Sequence, residues 1–196
     1  GLHVVWYGPD ETTTNDDENQ IKYVHSTDGG LTWSAWRNIA PVAGYQGQAL
    51  WQEHPTIYVD NDNRIYVVWE GRDDWYTQSA QIKFTRSSDG GQSWTPWVNV
   101  APSNHSHSRP ALVVSGEQLY VLAYGNRGGL QQILYASSMD GGRAWSRWRQ
   151  VAPSGQDQQH VAAAVDHTGR IHIVWRQPPF SAAAASRNNT QIYYAM

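Results

Sequence analysis

The chain has 196 residues, of which only 16% are charged, and its formal net charge is −3 at pH 7. Such a balance provides no basic field for binding nucleic acid through its phosphates, and the absence of cysteine excludes disulfides and thiolate metal sites. No stretch approaches the ~20 consecutive apolar residues of a membrane span, so neither nucleic acid nor a membrane is an expected partner.

The chain opens on a stretch, residues 1–8, that is rich in β-branched and aromatic residues and therefore predicts a strand. Similar stretches recur at 64–71, 118–125 and 170–176. Their near-continuous apolar character predicts burial on both faces, as in sheets stacked on sheets. A second type of strand, beginning Gln-Ile, follows each of them at 20–25, 81–86, 132–137 and 191–196.

A Ser-x-Asp-Gly-Gly-x-x-Trp motif follows the second strand in three places. Its defining residues are Ser26, Asp28, Gly30 and Trp33, then Ser87, Asp89, Gly91 and Trp94, then Ser138, Asp140, Gly142 and Trp145. Asp bonds readily to nearby backbone amides and glycine accepts a positive φ, so the motif predicts a tight turn on which the Trp folds back as a lid. One carboxylate per turn is too few for a cation site, and we interpret these residues as structural.

A third strand after each turn is predicted at 36–41, 97–102 and 148–153, each closed by Ala-Pro. A fourth is predicted at 55–59, 110–114 and 161–165. Four short antiparallel strands per ~50 residues are typical of a β-propeller blade. With the strands lettered A to D from the axis outward, the chain runs BCD, ABCD, ABCD, ABC. The repeats span approximately 1–52, 53–108, 109–158 and 159–196. The sequence thus predicts one all-β domain, or a fragment of one, with about three and a half blades.

The repeated motif resembles the Asp-box, or BNR repeat, of sialidase-like β-propellers, and the resemblance covers nearly the whole chain. It implies that the turns lie on the outer edge of the blades, away from a ligand face formed by the B–C and D–A loops. It also implies a secreted or extracellular protein. No cofactor or metal follows from it. We expect the chain to form a homo-oligomer or to be part of a longer propeller, because the predicted end blades are incomplete.

Seven residues of the predicted ligand face are candidates for ligand binding. Two are loop tryptophans that the repeat does not explain, three immediately precede an inner strand at one repeat position, and two are arginines: Trp51, Trp75, His54, Arg109, His160, Arg72 and Arg176. Aromatic rings and polar side chains at a channel mouth favour non-catalytic recognition of a glycan. The loop tryptophans could instead cover their own loops.

A second hypothesis is part of an exo-sialidase-like hydrolase, and a third is a structural or assembly module. A sialidase-like site requires three arginines, a Tyr–Glu nucleophile pair and an Asp acid. The candidates are Arg72, Arg109, Arg127 and Arg176, with Glu53 or Glu70, and with Asp73 or Asp74. None stands in a recognisable catalytic motif, and Glu70 is expected to be an exposed strand-end residue.

Overall fold

The computed structural model of the chain describes residues 1–9, 19–41, 50–178 and 191–196. Within these ranges the protein is all-β, with fourteen strands in four antiparallel sheets. Sheet 1 comprises β1 (Leu2–Pro9), β2 (Asn19–Ser26) and β3 (Arg37–Asn38). Sheet 2 comprises β4 (Gln52–Val59), β5 (Ile65–Gly71), β6 (Gln81–Ser87) and β7 (Val98–Asn99). Sheet 3 comprises β8 (His107–Ser115), β9 (Gln118–Arg127), β10 (Leu130–Ser138) and β11 (Arg149–Gln150). Sheet 4 comprises β12 (Gln159–Val165), β13 (Ile171–Gln177) and β14 (Gln191–Ala195).

Within each sheet the strands pair in sequence order, so the predicted series BCD, ABCD, ABCD, ABC is the observed one. The outermost strands are shorter than predicted, with two residues each instead of six. After each outermost strand one further backbone hydrogen bond joins it to its neighbour; in sheet 2 this is the 2.7 Å bond from the Val100 amide to the Ile82 carbonyl. Two residues later Pro102, which lacks an amide donor, stands where pairing would continue.

The core consists of three clusters, one between each pair of consecutive sheets. Ile21 and Trp69 belong to the first cluster, Val68 and Leu134 to the second, and Leu122 and Trp175 to the third. Strand β5 is buried along its whole length because sheets cover both of its faces, as predicted. Strands β1 and β13 are only partly buried, contrary to prediction, because no described sheet covers their outer faces. No helix in the described part of the chain is long and apolar enough to cross a membrane.

Hydrogen bonds within each Ser-x-Asp-Gly-Gly turn involve the same positions. In the second turn the Ser87 hydroxyl donates to Asp89 over 2.7 Å and accepts from the Gly91 amide over 2.8 Å. Asp89 accepts a 2.5 Å bond from the Ser93 hydroxyl and a 2.8 Å bond from the Ser93 amide, and these bonds, together with that from Ser87, hold the pKa of Asp89 well below its usual range. Equivalent bonds close the turns at Asp28 and Asp140. The carboxylates therefore stabilise turns, as the sequence predicts.

Two of the three turn tryptophans pack on the preceding sheet, whereas the sequence predicts a lid over their own turn. Trp94 meets the ring of Tyr23 edge-on at a centroid distance of 5.0 Å, and Trp145 meets Phe84 in the same way at 5.3 Å. Tyr23 is fully buried, and this burial raises its pKa to about 12. The second and third turns thus cover the outer edge of the sheet that precedes each of them.

Candidate functional site

Three residues at one repeat position, His54, Arg109 and His160, lie within the innermost strands. The sequence predicts them just before these strands, but each sits inside its strand at an interruption of the ladder register. Their backbones are left-handed, with φ of 51°, 49° and 53°. This conformation is uncommon for residues with a side chain. Its threefold recurrence places the three side chains along one open cleft.

The cleft has a volume of about 540 Å³ and lies where the innermost strands meet β1. Its lining comes from four strands: Val5, Trp6, Tyr7, His54, Pro55, Thr56, Arg109, Pro110, His160 and Val161. A 2.8 Å bond from the Thr56 hydroxyl to the Pro110 carbonyl joins two of the innermost strands beneath it. None of the lining residues is an Asp or a Glu, so the surface presents aromatic rings, imidazoles and a guanidinium.

A second set of residues, on the strands next to the innermost ones, lies behind this row. One repeat position of these strands holds a tryptophan in three of four cases, at Trp6, Trp69 and Trp175. The residues directly after this position are Tyr7, Glu70, Tyr124 and Arg176. The Tyr7 and His54 ring centroids are 5.4 Å apart, and those of Tyr124 and His160 are 6.4 Å apart. Each of these tyrosines therefore packs against the bulge residue of the next sheet.

Glu70 is 5% exposed, which corrects the expectation of an exposed strand-end residue. One oxygen lies 2.6 Å from His54 Nδ1, and the other accepts a 2.6 Å bond from the Arg109 amide. A buried carboxylate is stable only when its oxygens are hydrogen-bonded. Glu70 thereby fixes the imidazole of its own sheet and the backbone bulge of the next.

Two arginines, Arg109 and Arg176, place positive charge near His160 on one side of the cleft. Partial burial and then the charges of Arg109 and Arg176 lower the pKa of His160, which favours the neutral imidazole. Both arginines are exposed. This part of the cleft therefore attracts anions.

The loop residues Trp51 and Arg72 form a pair of their own. The Arg72 guanidinium lies 5.6 Å from the Trp51 ring centroid, and the Arg72 amide donates to the Trp51 carbonyl over 3.1 Å. Trp51 is half-buried, so one ring face is occupied by Arg72. The indole therefore covers its own loop in part.

Trp75 is 83% exposed, yet its loop is held by a buried ion pair. Asp73 Oδ1 accepts 2.9 Å bonds from the amides of Trp75 and Tyr76, and Asp73 Oδ2 bonds to Lys83. Both side chains of the pair are fully buried, which rules Asp73 out as the exposed acid that the hydrolase hypothesis needs. The buried pair therefore holds the loop in place, and the Trp75 indole on that loop stays exposed.

One described group could hold a metal ion. Glu53, His54 and Glu70 place one potential ligand atom each within 4.8 Å of one another. The short His54–Glu70 bond and the amide of Arg109 account for this close approach, because they use both oxygens of Glu70. Glu53 in turn accepts a 2.9 Å bond from the Asn19 side chain.

The remaining arginine of the hydrolase hypothesis does not line the cleft. Arg127 lines a separate groove beside Trp145 and Trp148. Of the four candidate arginines, only Arg109 lines the cleft itself, Arg176 acts on His160 by its charge, and Arg72 lies on Trp51. Sequence reasoning missed Tyr7, Tyr124 and the buried role of Glu70. Their shared repeat position next to the strand tryptophan is the signal that could have identified them.

Stacked antiparallel sheets of three or four strands, joined in sequence order, are the blades of a β-propeller. Neither a scan of protein-family models nor a search of curated protein sequences finds a match to the chain. Solved structures do match it, and they include sialidase-like propellers.

A Hadza microbial sialidase is 17% identical with a TM-score of 0.63, over 91% of this chain and 38% of its own. An α-L-arabinanase from Penicillium chrysogenum, complexed with arabinobiose, is 15% identical with a TM-score of 0.66, over 89% of this chain and 53% of its own. A polysaccharide lyase bound to a glycan containing GlcA and sulfated Rha is 11% identical with a TM-score of 0.62, over 98% of this chain and 52% of its own. The chain thus spans about half or less of the structures it matches, and the likeness establishes the fold.

Proposed function

We propose that this chain is a glycan-recognition module that binds its ligand in the inner-strand cleft and does not hydrolyse it. The observation that supports this is the recurrence of left-handed bulges at His54, Arg109 and His160 along one cleft. Unfavourable backbone conformations persist when the surrounding structure holds them in place, and they cluster at functional sites. Here they align hydrogen-bonding side chains beside the exposed ring of Tyr7, a surface suited to a sugar.

The fold neighbours are consistent with a glycan ligand. The three described above are a sialidase, an arabinanase with bound arabinobiose and a lyase with a bound glycan. Because one fold hosts many functions, the cleft residues and not the fold carry the assignment. The charges of Arg109 and Arg176 favour a glycan with an acidic group.

Trp75 provides a second contact for an extended glycan. Its indole is exposed, and the buried Asp73–Lys83 pair fixes its loop, so little conformational entropy is lost when a sugar ring stacks on it. Trp51, His54, Arg72 and the other loop-face candidates then form one proposed ligand face. The resemblance to Asp-box propellers, which the turn hydrogen bonds also support, adds an extracellular location to this proposal.

A glycan array probed with the intact chain tests the proposal. Arg109→Ala is expected to weaken binding about 10- to 100-fold, because a hydrogen bond to a charged group contributes about 1.5–3 kcal/mol. Arg147→Ala removes the same charge from an exposed position outside the cleft lining and should leave binding unchanged. Equal losses in the two variants would show that net charge, and not the cleft, holds the glycan.

Hydrolysis is not favoured, because glycosidases of the usual type need two carboxyl groups at the scissile bond. The cleft lining has none, and Glu70 is buried with both oxygens bonded. We expect no release of fluorophore from a fluorogenic sialoside. Turnover that disappears in Arg109→Ala and Arg176→Ala would contradict this expectation and support the sialidase-like alternative.

We also propose that the chain associates with itself through the outer faces of its end sheets. Leu2 and Val4 are 46% and 42% exposed on sheet 1, and Ile192 and Tyr194 are 74% and 58% exposed on sheet 4. Exposed apolar sheet surfaces of this kind favour association. Light scattering after size exclusion should give a mass above one chain at micromolar concentration. A stable mass near 22.1 kDa would contradict self-association.

A further inference from the structure

We propose that the cleft also cleaves uronic-acid-containing polysaccharides by β-elimination, with His54 as the base. This inference rests on the proposed function, because the polymer must bind in the cleft before it can react. It adds a proton transfer to recognition and involves no hydrolysis.

The His54 imidazole is oriented as a base by its bond to Glu70. A carboxylate accepts hydrogen bonds, so His54 Nδ1 carries the proton that bridges the 2.6 Å gap. Nε2 of the neutral ring then carries the lone pair, and it has no hydrogen-bond partner among the residues that the structure describes. A buried carboxylate behind an imidazole both fixes its tautomer and stabilises the imidazolium after proton uptake.

The positive side of the cleft provides what such a proton abstraction needs. The C5 proton of a uronate becomes acidic when the charge of the neighbouring carboxylate is neutralised. Arg109 lines the same cleft as His54, and Arg176 adds a second charge on the side of His160. Cations placed where negative charge develops lower the barrier.

Tyr7 is placed to complete the reaction. Its ring centroid lies 5.4 Å from that of His54, it lines the cleft, and it is 40% exposed. A phenol is a suitable general acid for a departing sugar oxygen. Base and acid therefore stand side by side.

The step balances without any further reactant. His54 Nε2 takes the C5 proton, the C4–O4 bond breaks, and a C4=C5 double bond forms. Tyr7 gives its phenolic proton to O4, and proton exchange with solvent restores both side chains. No water is added to the polymer, which agrees with a lining that has no carboxylate to activate water.

The test incubates the intact chain with a panel of uronate polymers, including polygalacturonate, alginate and chondroitin, and measures binding and cleavage in parallel. Elimination is detected by the ultraviolet absorbance of the conjugated double bond. Mass spectrometry identifies fragments that lack one water relative to hydrolysis products. His54→Gln is expected to lower the rate at saturating polymer about 100-fold or more, in line with the loss of a general base, and the parallel binding measurement separates this loss from any change in affinity.

Three further variants sharpen the result. His167→Gln, in an exposed turn outside the cleft, should retain full rate. Tyr7→Phe keeps the ring and removes only the hydroxyl, so it should lower the reaction rate without weakening the binding of the polymer. Glu70→Gln should lower kcat with little change in KM, because Glu70 is a positioning residue for His54. Circular dichroism checks the fold of each variant.

The outcomes separate the two proposals. Unsaturated product that depends on His54 supports elimination. A uronate polymer that binds without giving such product, or that gives only saturated fragments, overturns elimination and leaves recognition standing. Binding confined to uncharged glycans also overturns elimination. Binding to no glycan overturns both proposals.

Discussion

Replacing Asp73 by alanine is expected to lower the free energy of unfolding by about 3–5 kcal/mol, because it leaves the Lys83 ammonium buried without a partner. Both side chains are fully buried, and Lys83 retains only the 2.9 Å bond to Asn99 and the Trp97 ring 4.2 Å away. Burial lowers the pKa of Lys83, so part of the loss is relieved by deprotonation. The amides of Trp75 and Tyr76 also lose Asp73 Oδ1, the oxygen that accepts a hydrogen bond from each of them.

Urea unfolding of Asp73→Ala measures this effect, with Asp74→Ala as the matched control. Asp74 is the adjacent, exposed carboxylate, so its removal should cost less than about 0.5 kcal/mol. The double variant Asp73→Leu/Lys83→Met should recover part of the loss, since replacing a buried pair by apolar groups is often neutral. A loss below about 1 kcal/mol in Asp73→Ala would refute the anchoring role of the pair.

Gly91→Ala is expected to destabilise the chain by about 2–5 kcal/mol. A Cβ at this position would overlap the Tyr23 hydroxyl oxygen and fall 2.6 Å from the adjoining ring carbon, in backbone with a φ of 90°. Overpacking of this kind costs about 1–3 kcal/mol, and a left-handed conformation adds about 1–2 kcal/mol for a residue with a side chain. Tyr23 has little room to move, because Trp94 packs edge-on against it.

Gly29→Ala separates the two contributions. Gly29 has a φ of 75° in the first turn, but nothing lies within 4 Å of the position that an added methyl group would occupy. Thermal unfolding of both variants should therefore show the backbone cost alone at Gly29 and the additional steric cost at Gly91. Equal losses would mean that the contact between turn and neighbouring sheet does not limit stability.

The strand order could be predicted because a turn motif, a Gln-Ile strand and an Ala-Pro stop return in register three times. Local chemistry dictates each of these signals, as the repeated Ser87–Asp89 and Ser138–Asp140 bonds illustrate. The partners of the turn tryptophans were not predictable in this way. Trp94 meets Tyr23 from the preceding sheet, and such a contact depends on how sheets stack.

The candidate site was predicted in part. The repeat position of His54, Arg109 and His160 is visible in the sequence, but their left-handed bulges are not, since none of them is a glycine. Glu70 was misjudged because its neighbours in sequence end a strand. Its burial comes from His54 and from the Arg109 amide, which belongs to another sheet. The Asp73–Lys83 pair was also missed, because the sequence does not show that the loop before β6 folds back onto Lys83.

Glycan binding in the cleft between the innermost strands can be observed directly at its histidines. Nuclear magnetic resonance of the imidazole side chains is recorded while the tightest-binding array glycan is titrated. We expect the His54 and His160 signals to shift with saturation, whereas the signal of His167, in an exposed turn outside the cleft, stays constant. Saturable shifts at His167 with none at His54 and His160 would contradict binding in the cleft, because the glycan would then bind elsewhere on the chain.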